Sequence, residues 1–176
     1  MQRHAETRKG LPAVRAAFVV GMLHAAVSVY WGLGGTWLLD TVGEEALARR
    51  FDAIGIPAVV AVWAAVAVKM IAAVLPLVAL DRLAGPAWNR IVWILAWVEG
   101  AILTIYGLVC TAVGLLVEAD VIHAVQPDRR ALAWHAYLWD PWFLLWGLLV
   151  VTALLQGRAV TTNGRDQPSY SRVGEH

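Results

Sequence analysis

Three ionisable side chains stand where hydrocarbon is expected to surround them. Lys69 and Glu99 each fall inside an apolar stretch long enough to cross a bilayer, and His24 lies about eight residues into another. Such a group costs about 2.5–3.5 kcal/mol on insertion scales, so it is retained only with a partner or a purpose. Counted from the flanking Asp81 and Arg90, Lys69 stands about 18 Å and Glu99 about 13.5 Å above the inner ends of their helices, at 1.5 Å per residue. The difference of about 4.5 Å is within reach of a flexible lysine stem, and the two are expected to pair. A pair of this kind fixes the register of two helices. With His24 at a comparable depth, the same three groups instead make an intramembrane polar site for a proton, an ion or the head group of a small or lipidic ligand.

Other constellations carry less chemistry. Asp140-Pro141 has the form of a helix N-cap followed by the first helical position, so Asp140 is expected to cap the fourth long helix. His123 and His135 are placed to approach Asp120 and Asp140 in an outer polar group, but no histidine spacing supports a metal site. Histidines at different depths do not make a haem pair. Walker, Gly-x-Ser-x-Gly, His-Glu-x-x-His and dinucleotide motifs are absent, so no cofactor and no metal is expected. The single cysteine, Cys110, excludes an intrachain disulfide and a Cys-x-x-Cys redox pair.

The elements that position these residues follow from composition. Of 176 residues, 60% are hydrophobic and 15% charged, with 10 Trp and a net charge of +1, against roughly 45–50% apolar and about 25% charged in soluble domains. That excludes most soluble enzyme folds, and a near-neutral chain excludes a nucleic-acid partner. About 20 apolar residues span the core, and residues 16–39, 58–80, 91–117 and 137–156 qualify. The prediction is an all-α, four-helix integral membrane bundle over residues 16–156, multi-pass in the cell membrane. Nine Lys and Arg beside one set of ends against four beside the other place both termini in the cytoplasm. Residues 1–15 form an N-terminal segment and 157–176 a disordered tail. The Thr41-Val42-Gly43-Glu44 capping box predicts a short surface helix over 41–51. Abundant Arg and Ala point to a bacterial source.

Within the bundle, Gly100, Thr104, Gly107, Thr111 and Gly114 share one face and are expected to contact another helix, because membrane helices associate through small residues. Gly21, His24, Ser28, Gly32 and Gly35 make a similar stripe. Most tryptophans, Trp139 among them, fit interfacial belts, while Trp31, Trp97, Trp142 and Trp146 sit deeper; Trp139, Trp142 and Trp146 share one face of the fourth helix, and this set is suited to lipid contact or to a flat apolar ligand.

Residues 21–43, with His24, the Tyr30-Trp31-Gly32-Leu33-Gly34-Gly35 run and Trp37, resemble the first helix of a family of small four-helix bacterial membrane proteins, domain of unknown function 3995. A tryptophan-rich fourth helix near Asp140-Pro141 is in keeping with it. The resemblance implies topology over about residues 14–156 and no chemistry, and it marks Tyr30 and Trp31 as residues whose role needs explaining.

The reading that follows is a non-enzymatic membrane protein that binds a ligand through Lys69, Glu99, His24, Tyr30, Trp31 and Asp140. The alternatives are a scaffold or accessory subunit of a membrane complex, and a membrane-embedded isomerase of a lipid or sterol-like substrate. The expected partners are membrane lipids, a small or lipidic ligand, and a second copy or another membrane subunit.

Overall fold

The computed structural model describes residues 11–42, 56–81, 86–123 and 128–163, and its regular elements are all helical. Helix α1 is Leu11–Gly32, α2 is Ile56–Asp81 and α3 is Pro86–Glu118. The fourth crossing joins a short α4, Arg129–Trp134, through a π turn, His135–Trp139, to α5, Asp140–Asn163. All four crossings are long and apolar enough to span a membrane, and the chain is a four-helix multi-pass membrane protein. The ends bearing Asp81, Arg90 and Arg158 are called inner below, after the charge count.

Helix α1 stops short of residue 39 for a local reason. Gly35 N–H donates to Tyr30 O and Gly34 N–H to Trp31 O, both at 2.9 Å, with Gly34 at φ 90°. This is the paired bonding of a Schellman cap, which requires a left-handed residue that glycine supplies without strain. The chain then turns through Leu38 into one 3-10 turn, Leu39–Thr41. Of the surface helix expected over 41–51, only Thr41 and Val42 are described; the rest lies outside the described residues.

Asp140 does not cap a helix. Its backbone is helical, at φ −76° and ψ −41°, and the chain runs through it unbroken. The N-cap is Asp128, whose carboxylate accepts from Arg130 and Ala131 N–H at 3.1 and 3.2 Å. Pro141, lacking an N–H and crowding the preceding turn, follows directly on the π turn, where Asp140 N–H reaches back to His135 O. A π bulge absorbs that mismatch without ending the helix. At the other end α5 continues to Asn163, so residues 157–163 are helical rather than part of a disordered tail.

The helices form a ring in which α1 packs mainly on α2, and α5 on both α3 and α1. The α3–α5 seam is the closest. A side chain at Gly107 meets the Leu144 backbone, one at Gly114 meets Ala136, and one at Gly147 meets the Thr104 backbone. The small stripe of α3 therefore faces α5, as close packing in lipid requires. The main core cluster, including Ala17, Ala73, Ala79, Val92, Ala96, Val150 and Leu154, lies at and below the level of Trp146. Large apolar side chains such as Ile71, Ile102 and Ile105 point outward, at least 60% exposed.

Candidate functional site

His24 is placed by α1 against the face of α5 that repeats an aromatic every three or four residues. Its ring centroid lies 4.5 Å from Phe143, 5.4 Å from Trp142, 6.1 Å from Trp139 and 6.3 Å from Trp146. Trp142 and Phe143 meet it at different angles, Trp142 edge-on. The residue is only 4% exposed, and neither ring nitrogen has a hydrogen-bond partner among the described residues. An imidazole always carries at least one N–H donor and leaves it unpaired at a cost of about 1–3 kcal/mol. Trp142, by contrast, donates its indole N–H to Val20 O at 3.1 Å.

One turn above His24 on α1 sits buried Ser28, and Lys69 Nζ donates to its Oγ at 2.7 Å. His24, Ser28 and Lys69 thus occupy one level of the bundle. Lys69 carries three donor protons, and Ser28 takes one of them.

The expected Lys69–Glu99 ion pair is not formed. Both Glu99 carboxylate oxygens are buried without a hydrogen-bond partner among the described residues. The register explains why. Gly21 and Ala73 meet at Trp146, whereas Gly100 meets Val150 and Val151, one turn of α5 nearer the inner end. Lys69 and His24 lie about a turn above the Trp146 layer and Glu99 about a turn below it, a separation on the order of 10 Å. Counting both depths from Asp81 and Arg90 assumed that these ends share a plane, but Leu80 and Trp93 both lie beside Gly157, so α3 is offset. Lys69 also belongs to the strip of α2 that faces α1. The structure brings His24 and Lys69 together through Ser28 and leaves Glu99 apart.

The other marked residues build an outer clasp. Trp31 Nε1 donates to Trp37 O at 2.9 Å, Tyr30 OH accepts from Trp37 N–H at 3.3 Å, and the Tyr30 ring covers Gly35. The Tyr-Trp-Gly-Leu-Gly-Gly run therefore folds back on itself and closes α1. Trp31 also packs on Trp139 with centroids 5.5 Å apart. Trp139 donates to Thr41 Oγ1 at 3.1 Å. His135 lies between buried Asp140, 3.3 Å from Nδ1, and Val42 O, 3.4 Å from Nε2. The turn after α1 is thus fastened to the π turn directly above the aromatic box, and Trp139 belongs to both. His123 stands 3.7 Å from Asp120 on the exposed surface, away from this group.

Phe143 and Ser28 are the members of the site that residue-by-residue reading underweighted. The signal for Phe143 was its place in the 139, 142, 143, 146 spacing, and that for Ser28 was its position one turn from His24. Among the described residues no three His, Cys, Asp or Glu side chains converge as metal ligands.

A family model described as protein of unknown function (DUF3995) matches residues 21–150. No curated protein and no solved structure matches the chain.

Proposed function

The chain belongs to this family, DUF3995, whose description carries no activity to inherit, and we propose from its own residues that it is a non-enzymatic binding protein of the bacterial cell membrane. In this reading both termini are cytoplasmic, and a small or lipidic ligand is held at the level of His24, Ser28 and Lys69 against the aromatic face of α5. The observation that carries it is His24, buried among four aromatic rings with neither nitrogen partnered among the described residues. A purely structural histidine gives up hydrogen bonds to enter such a box, and a bound acceptor or donor restores them. The isomerase reading needs a carboxylate inside the aromatic walls, and Glu99 lies about a turn below the Trp146 layer at their inner edge.

Photo-cross-linking tests the proposal. A photoreactive amino acid at position 143, in the box, is compared in intact membranes with one at position 98, where Val98 is exposed on the outer surface of α3. The expected result is capture of a small molecule other than bulk phospholipid at 143 and of phospholipid alone at 98. Phospholipid alone at both positions overturns the binding function.

A further inference from the structure

Helices α2 and α3 are consecutive, yet they close against each other along only part of their length. The strip of α2 that meets α1 runs through Val66, Lys69 and Ala73. On the flank beside it, Ala72, Leu75 and Ala79 are buried or half-buried, whereas Ala65 and Val68, nearer the outer end, are exposed, Val68 at 65%. On the facing flank of α3, Val92 and Ala96 are buried and Glu99 and Leu103 half-buried, and Cys110, five turns beyond Val92 on the same side, is only half-covered. The seam is covered toward the inner end and loses that cover toward the outer end, chiefly on α2.

Beside this opening lie the groups already described. Tyr106 stands edge-on to Phe143, 5.4 Å between centroids, and Phe143 is the ring nearest His24. Lys69 reaches Ser28 from the α2 side.

Three properties define the occupant. The opening lies between two membrane-spanning helices, so it receives what is dissolved in the bilayer rather than in water. Lys69 offers only donors, so the occupant brings an acceptor oxygen. Lys69 stands near the middle of the Val59–Asp81 span, a depth at which a phosphate head group is strongly disfavoured and a neutral carbonyl is tolerated. Aromatic walls favour a flat ring over a flexible acyl chain. We propose that the outer part of the α2–α3 seam admits a quinone-like lipid, a flat ring bearing carbonyl oxygens on an apolar tail. A ring carbonyl accepts from Lys69, the ring lies along Tyr106 and Phe143, and the tail runs along the exposed flanks. This rests on the binding reading above and specifies its ligand class; it involves no electron transfer.

The test uses the full chain in phosphatidylcholine nanodiscs, titrated with decylubiquinone and read by tryptophan quenching, with decanol as a ring-free competitor. Saturable quenching that decanol does not displace is expected. Lys69→Met, and separately Ala65→Phe with Val68→Phe to fill the seam, should each weaken binding at least tenfold while melting close to the parent. Parent-like binding by both variants, or displacement by decanol, overturns the proposal. If decylubiquinone fails while position 143 still captures another small molecule, the quinone assignment falls and the binding function stands. Phospholipid alone at position 143 removes both.

Discussion

The inner half of the bundle is filled mainly by alanine, valine and leucine from all four crossings, with Phe18, Trp93 and Trp97 packed against them and one buried carboxylate, Glu99, and Leu80, Trp93 and Gly157 meet at its inner end. The outer half uses the same helices but places a histidine, a serine, a lysine and five aromatic rings between them, and there the α2–α3 seam loses its cover. Packing in lipid rewards close backbone approach, and the closest is on the α3–α5 side, where Gly107 meets the Leu144 backbone and Gly147 the Thr104 backbone. The outer half adds the contact of Gly32 with Val62 and Trp63 and a set of side-chain hydrogen bonds. The difference separates the residues that make the fold from those that make a site.

The seam common to both halves should be the most sensitive to substitution. Gly107→Leu drives a side chain into the Leu144 backbone, and overpacking of this kind costs about 3 kcal/mol or more. Thermal unfolding in detergent should show a large loss or no folded protein, and a parent-like transition would remove the seam from the account. Leu154→Ala, at a site with no exposed surface in the inner core, should cost about 2 kcal/mol by the same measurement. An effect below that of an outer lipid-facing change such as Ile105→Ala would erase the contrast between the halves.

The clasp should respond less. Thr41→Val removes the acceptor of the Trp139 indole and should cost about 1–2 kcal/mol, with greater hydrogen exchange confined to residues 33–42. Protection unchanged there would show that the turn is held by something else. Smallest of all is the coupling between Lys69 and Glu99. Because the two lie about two turns apart, Lys69→Met and Glu99→Gln should add to within about 0.5 kcal/mol. Coupling of 1 kcal/mol or more would mean that they meet after all.

The architecture was legible because apolar length and glycine spacing report directly on crossing and close packing. Gly100, Gly107 and Gly114 announced the α3–α5 seam before its partner was known. Two kinds of information were not local. Asp140-Pro141 reads equally as a cap or as a helix interior, and a π turn whose bonds skip a residue decided between them. The relative height of Lys69 and Glu99 depended on the offset of α3 against α2, which no count along one helix contains. The Tyr30–Trp37 run stood out through its likeness to a family's first helix, and the bonds that close α1, from Trp31 Nε1 and to Tyr30 OH, could not be read from it. His24 was visible as an oddity, but its isolation emerged only when α5 brought four rings around it.

The division of labour rests on His24, and one variant tests it. Phenylalanine keeps a flat ring, one atom larger than imidazole, and has no polar atom to leave unpaired, so the relief of the unpaired N–H offsets the tighter fit and His24→Phe should melt within about 1–2 kcal/mol of the parent. Native mass spectrometry of both proteins released from their own membranes then reads the bound small molecule directly. A bound species in the parent that is lost from an equally stable His24→Phe is the result predicted here. The same species on both proteins, or none on the parent, would contradict a binding site at His24.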